Sequence, residues 1–216
     1  MDEEDGSICW DCQTTIRTVQ APYCERCGDP VAGMVTDAYE CVWCRKTAPA
    51  FDWARSAVRY DGVARKCLRR FKYGAGLWLL DDLAGWLAAL WRSCPAGIRE
   101  ADMVVPVPLY ARKRRERGYN QAALLASALA VRMGVPFRGN VLRRALPTPS
   151  QTRLTAAQRV HNVRGVFSVP RRRLAQGARV VLVDDVMTTG ATVNECARAL
   201  KAAGAEAVMA LTVARG

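Results

Sequence analysis

This chain of 216 residues has one histidine, no apolar run long enough for a membrane, and fewer acids than bases. The histidine, His161, sits in a basic stretch, where such a residue is more often solvated than catalytic. It receives no role, and no residue is named as a general base. The longest apolar stretch, 77–91, is too short to span a bilayer and carries Asp81 and Asp82. Leu80, Leu83, Leu87 and Leu90 recur in it at helical spacing, so it reads as an amphipathic core helix. The opening MDEEDGSICWDC is acidic and lacks the apolar segment of a secretion signal, which makes the cytoplasm the expected location. Against 20 Asp and Glu stand 32 Lys and Arg, a formal net charge of +12. The partners implied are anionic, although charge alone does not choose among a pyrophosphate, a nucleotide and a nucleic-acid backbone.

What is present divides the chain in two. Six of nine cysteines fall before residue 45 as three CxxC pairs, Cys9/Cys12, Cys24/Cys27 and Cys41/Cys44. Closely spaced thiols in a reducing compartment suit tetrahedral zinc better than disulfides. CERCG and CVWC read as the two knuckles of a zinc ribbon, with Gly28 allowing the tight turn after Cys27. Cys24, Cys27, Cys41 and Cys44 are the candidate ligands of one structural Zn2+. A segment this small buries too little apolar area to fold without such a staple. Residues 1–47 form the cysteine-rich module and residues 48–216 the larger α/β domain. Trp10, Tyr23, Tyr39 and Trp43 either pack the ribbon or stack on bases.

The stretch VVLVDDVMTTGATVNECARAL, 180–200, carries most of the chemistry. Four apolar residues ending in Asp184 and Asp185 read as a buried parallel strand with its carboxyl end open, where ligands of α/β sheets sit. Thr188, Thr189, Gly190 and Thr192 follow, then a helical pattern that Gly204 stops. A helix N-terminus preceded by small residues suits a phosphate monoester, and Gly190 lets the backbone approach it. The two carboxylates suit hydroxyl donors. Phosphate on one side and vicinal hydroxyls on the other describe a ribose 5-phosphate; a capped strand-turn-helix with no ligand is the alternative. Upstream, VPVPLYARKRRERGYNQAALLA, 105–126, delivers a short strand into a dense basic loop and a helix starting at Asn120. Arg112, Lys113, Arg115 and Arg117 in that loop can clamp a pyrophosphate, unless they are a solvated run or contacts to a nucleic-acid backbone.

VLVDDVMTTGAT resembles the ribose-phosphate loop of the type I phosphoribosyltransferases, which bind phosphoribosyl pyrophosphate (PRPP). RERGYNQA, FKYGA (71–75) and TPSQTRLTAAQRVHNVRGVF (148–167) are similar to segments of the ComF family of competence-associated, phosphoribosyltransferase-like proteins, in that family's order. The resemblance implies a mainly parallel sheet with helices on both faces. It implies that Asp184 and Asp185 hold the ribose, and that Thr188, Thr189, Gly190, Ala191 and Thr192 line the 5-phosphate site. Mg2+ would accompany PRPP, and an acceptor of unknown identity would bind under a hood formed by the N-terminal half. In the loop 148–167 the polar residues of interest are Gln151, Arg159, Asn162 and Arg164. Related proteins often carry a further CxxC. Its absence leaves Cys9 and Cys12 to compete for one zinc, to share a second ion with another ligand, or to stand as a remnant. Three functions are carried forward: a phosphoribosyltransferase releasing pyrophosphate, a PRPP sensor that performs no transfer, and a handler of single-stranded DNA associated with DNA-uptake proteins.

Overall fold

Apolar runs of four to nine residues build the centre of the molecule. In the computed structural model, which describes residues 8–31, 33, 35, 38–73, 76–144 and 165–216, six strands occur in chain order. They are β1 (Trp53–Arg59), β2 (Met103–Pro106), β3 (Arg143–Arg144), β4 (Phe167–Ser168), β5 (Arg179–Met187) and β6 (Ala207–Arg215). The helices are α1 (Trp10–Thr14), α2 (Val42–Thr47), α3 (Gly62–Tyr73), α4 (Leu80–Ser93), α5 (Ala111–Arg117), α6 (Gln121–Met133) and α7 (Ala191–Ala202). Four strands form one sheet in the order β1-β6-β5-β2, all parallel, while β3 and β4 make a small antiparallel ribbon.

Strand side chains alternate between faces, and continuous apolar runs mean that both faces are covered. Val180, Leu182, Val208 and Ala210 pack on one face with Cys196, Ala197 and Leu200 of α7 and with Cys24, Cys27, Cys44 and Phe51. Val181, Val183, Met209, Leu211 and Val213 pack on the other with Leu68 and Phe71 of α3, Leu83 and Leu87 of α4, and Leu125 and Leu129 of α6. Both outer edges are occupied. Residues 17–19 run antiparallel along β1, with Val19 N–H bonded to Ala57 O and Arg59 N–H to Arg17 O. Residues 136–138 line β2 through bonds between Val104 N–H and Pro136 O and between Arg138 N–H and Val104 O.

Three expectations change. The central strand does not stop at the acidic pair: β5 continues through Asp184 and Asp185 to Met187, because β6 extends alongside it, pairing Asp184 with Thr212 and Met187 with Arg215. The basic segment after β2 is a helix rather than a loop. Arginine and lysine are good helix formers, and Gly118, at φ +80°, ends α5. The basic clusters Arg143–Arg144 and Arg171–Arg173 each read in sequence as part of a loop, but Arg143 and Arg144 lie in β3, and Arg172 and Arg173 in a single 3₁₀ turn that Arg171 precedes. Most of the segment 148–167, with Gln151, Arg159, His161, Asn162 and Arg164, lies outside the described residues.

Candidate functional site

The turn 188–190 joins the end of β5 to α7, a helix of twelve residues. Gly190 adopts φ +74° at its N-cap, a conformation that L side chains rarely take. A Cβ at Gly190 would lie 2.7 Å from Met187 Cε, the end of a flexible side chain, and 3.5 Å from Trp43 Cη2, an ordinary contact, so the positive φ rather than crowding is what favours glycine here. Thr189 Oγ1 accepts the N–H of Ala191 at 3.4 Å. A small cleft is lined by the run 186–193 together with Asp184, which places Thr188, Thr189, Gly190, Ala191 and Thr192 around one concavity.

Beside it opens a cavity of about 190 Å³. Asp184, Asp185 and Thr192 form one wall, and Lys72, Lys113, Arg117 and Arg144 supply four cations. Asn120 and Gln121 complete the polar lining. Of the expected basic residues, Lys113 and Arg117 face this cavity; Arg115 is exposed and not part of the lining, and the side chain of Arg112 lies outside the described residues. Lys72 and Arg144 are residues that the sequence reading left without a role. Lys72 lay in plain sight within FKYGA, whereas Arg144 had only the signal of a basic pair.

Adjacent carboxylates on a strand cannot share an environment, since they point to opposite sides. Asp185 pairs with Lys72 Nζ at 3.0 Å, both side chains being largely buried. Burial opposes the charge on Lys72, but Asp185, helped by Asp184, holds its pKa above the ordinary lysine value. Among the described residues Asp184 has no such ion pair. Burial and the neighbouring Asp185 carboxylate push its pKa up to about 7, against the weaker pull of Lys72 and Arg144. Lys113 moves the other way: burial, with Arg117 and Arg144 nearby, lowers its pKa. The cavity is therefore short of negative charge on its cationic side.

Two sequence motifs meet to build that cationic wall. Tyr119 O–H donates to Phe71 O at 2.5 Å, Gln121 Nε2 to Lys72 O at 3.4 Å, and Arg117 Nη2 to Tyr73 O–H at 3.0 Å. RERGYNQ is thus clamped to FKY, and Arg117 also lies over the Tyr73 ring. Asn120 precedes α6 as expected, but its side chain does not cap the helix; Nδ2 donates to Val107 O at 3.1 Å and ties α6 to the end of β2.

The second candidate site is the cysteine tetrad. The Sγ atoms of Cys24, Cys27, Cys41 and Cys44 all lie within 4.8 Å of one another. Cys24 and Cys44 are 3.8 Å apart, and Cys27 and Cys41 are 3.7 Å apart. Zinc–sulfur bonds of about 2.3 Å in tetrahedral geometry give sulfur separations of about 3.8 Å, so the donor set fits that ion. Backbone N–H groups of Cys41 and Cys44 donate to Cys24 Sγ and Cys41 Sγ at 3.3 and 3.5 Å. Burial pushes the Cys27 thiol up to about 12 and Cys44 upward as well. Cys24 moves the other way: burial opposes its thiolate, but backbone N–H groups of Cys41, Cys27 and Arg26 lower its pKa, so a cation is needed chiefly to offset charge on Cys27 and Cys44. Gly28, at φ +66°, turns the first knuckle against the sheet, where a Cβ would meet Ala54 O at 2.8 Å. Cys9 and Cys12 do not join the tetrad: Cys9 is exposed, and Cys12 packs on the opposite face of the sheet. The ribbon aromatics are largely internal, with Trp43 on Phe51, Tyr23 beneath the Arg55 guanidinium and Tyr39 against the core; Trp10 is exposed.

Residues 117–216 match the phosphoribosyl transferase domain family. Competence protein F of Haemophilus influenzae is 32% identical over 213 residues, covering 97% of this chain and 91% of the relative. The chain belongs to the ComF family. Other members extend the likeness: DNA utilization protein YhgH of Salmonella typhimurium is 30% identical over 210 residues (96% and 90% covered). Competence protein ComFC of Bacillus subtilis is 26% identical over 216 residues (98% and 85% covered). In this ComF protein the fold is that of the type I phosphoribosyltransferases, a mainly parallel sheet with helices on both faces, and it carries an N-terminal cysteine cluster compatible with zinc. Among the described residues, no helix is long and apolar enough to cross a membrane.

Proposed function

We propose that the cleft at 184–193 and the adjoining cavity bind PRPP as one ligand and that the protein transfers its phosphoribosyl group to an acceptor not yet identified. The observation that carries this reading is the acidic pair standing between a helix N-terminus and a cluster of four cations. In this reading the turn Thr188, Thr189, Gly190, Ala191 and Thr192 holds the 5-phosphate through backbone N–H groups and the field of α7. Asp184 and Asp185 accept hydrogen bonds from the ribose hydroxyls. Lys113, Arg117, Lys72 and Arg144 offset the charge of the pyrophosphate. The transfer breaks the bond from the anomeric carbon to the pyrophosphate oxygen and forms one to an acceptor nitrogen, through an oxocarbenium-like transition state. The residues hold the sugar, stabilise the departing charge and limit water. Carboxylates are hard oxygen donors that suit Mg2+, which when bound with PRPP adds neutralisation at the pyrophosphate. Zn2+ in the tetrad is structural, closing a module at 1–47 that we separate from the transferase-like module at 48–216. Because relatives bear the names competence protein and DNA utilization protein, we extend a link to DNA uptake, in the cytoplasm, to this chain. Calorimetric titration with magnesium and PRPP tests binding, and pyrophosphate release in the presence of bases or nucleosides distinguishes a transferase from a sensor.

A second reading, handling of single-stranded DNA, is favoured by α3. Arg65, Lys66, Arg69, Arg70 and Tyr73 are exposed and fall on a single arc of the helix. Tyr73 and Trp78 are 68% and 53% exposed, so a basic stripe ends at aromatic rings on which bases can stack. Oligonucleotide binding that falls steeply with salt and is lost on neutralising this stripe would support it.

A further inference from the structure

The cysteine tetrad and the phosphate turn are distant in sequence and adjacent in space. Trp43 lies inside the second knuckle, between Cys41 and Cys44, on α2. One side of its ring packs on Phe51, with centroids 6.3 Å apart and planes 18° from parallel. The rim of the indole reaches the turn, with Cη2 3.5 Å from where a Gly190 Cβ would sit. Three further links join the two regions. A cavity of about 400 Å³ has Cys27, Cys41 and Trp43 on one side and Thr188 and Thr189 on the other. Ala50, just beyond the knuckle, donates its N–H to Asn194 Oδ1 in the first turn of α7 at 2.7 Å. Arg215, at the end of β6, is paired with Asp29 of the ribbon at 2.9 Å.

A turn made of threonines, a glycine and an alanine has little side-chain bulk of its own to fix its backbone, and Gly190 is free to adopt many conformations. Here the indole of Trp43 and the Met187 side chain occupy the space that a larger residue would fill. The orientation of the indole depends in turn on its two flanking cysteines, and so on whether the tetrad is closed around a metal. We propose that Trp43 is a positioning residue for the phosphate turn, through which metal occupancy of the tetrad sets affinity at the 5-phosphate end of PRPP. This rests on the assignment of the turn as a phosphate site. The pyrophosphate end is built elsewhere, on α3, α5, α6 and β3, and none of the described residues that line it belongs to the knuckle.

That separation supplies the test. With the full-length protein, magnesium and three probes (PRPP, ribose 5-phosphate and inorganic pyrophosphate), Trp43→Ala should weaken the first two by about tenfold and leave pyrophosphate within about twofold. Trp43→Phe, which keeps an aromatic brace, should recover most of the loss. Withdrawal of metal from the parent by a zinc chelator should give the same split. A merely structural role would weaken all three probes together, and that result overturns the proposal, as does unchanged affinity for ribose 5-phosphate in Trp43→Ala. A parent that binds pyrophosphate but neither PRPP nor ribose 5-phosphate would instead remove the phosphate-site assignment on which the proposal stands.

Discussion

The two faces of the sheet treat the same motif differently. On one face, Cys24, Cys27, Cys41 and Cys44 gather their sulfurs within 4.8 Å against the core and against the turn before α7. On the other, Cys12 sits on a five-residue helix and Cys9 precedes it as the N-cap, in solvent. Identical CxxC spacing gives, among the described residues, a ligand set in one place and none in the other, because a tetrahedral site needs two knuckles facing each other and Cys9/Cys12 has no described knuckle opposite it. The same contrast recurs at smaller scale. Asp184 and Asp185 are neighbours with different surroundings, and Arg115 and Arg117, two residues apart on α5, differ in the same way, one exposed and the other lining the cavity. In each case the face of the element, rather than the residue type, decides the role.

The comparison breaks most visibly at the cysteines. Cys44→Ser should remove the metal and unfold the ribbon, since structural zinc contributes on the order of 10 kcal/mol to folding in small modules. Cys9→Ser with Cys12→Ser should keep the metal and the thermal midpoint. Metal analysis and calorimetry check both, and loss of zinc in the Cys9/Cys12 variant would erase the distinction between the faces. Next in size is the acidic pair. Asp185→Asn strands Lys72 as a buried unpaired charge and should destabilise the fold by about 3 kcal/mol. Asp184→Asn removes a crowded carboxyl and should leave stability equal or higher at pH 8. Both should weaken PRPP at least about tenfold, given about 1.5 to 3 kcal/mol for a charge-assisted hydrogen bond.

The pair can be separated more finely by pH. The Asp184 carboxyl has a folded pKa of about 7, well above the ordinary aspartate range. A raised pKa means that the folded state keeps a proton that the unfolded chain has released. The stability from this group is complete below the unfolded pKa and is lost as pH rises through the folded one. Unfolding free energy measured from pH 4.5 to 8 should therefore decline more steeply in the parent than in Asp184→Asn. Equal slopes would show that Asp184 is not the crowded member. The smallest effect belongs to the arginines: Arg117→Ala should weaken pyrophosphate binding several-fold, whereas Arg115→Ala should change it by less than about twofold.

Much of this was legible in the chain. VVLV and AVMALTVAR are apolar enough to announce buried parallel strands, and the Thr/Gly turn announced a helix start. The local spelling fell short where long-range neighbours decide. β5 runs past its aspartates because β6, about 28 residues later in the register, extends beside it. A dense basic run looks like a loop until Gly118 closes it as a short helix. Nothing in FKYGA discloses that Lys72 reaches an aspartate over a hundred residues away, or that the carbonyls of Phe71 and Lys72 receive hydrogen bonds from Tyr119 and Gln121. The pairing of knuckles was readable because CERCG and CVWC spell the two halves of one ribbon, even with Cys9 and Cys12 offering a third pair; the indole beside the turn before α7 was not.

The strand-like pairing of residues 17–19 with β1 has a consequence for how the molecule can be taken apart. An unpaired outer strand is an open template for joining another chain. Cutting at the module boundary suggested by sequence, and keeping 48–216 alone, strips β1 of its cover and presents the hydrogen-bonding groups of Ala57 and Arg59 to solvent. Such a fragment is expected to self-associate through that edge as its concentration rises, which light scattering would register. A shortened chain that begins at residue 16 would keep the cover and stay monodisperse. Residues 17–19 thus close an edge of the sheet that the truncated fragment would leave open to another chain.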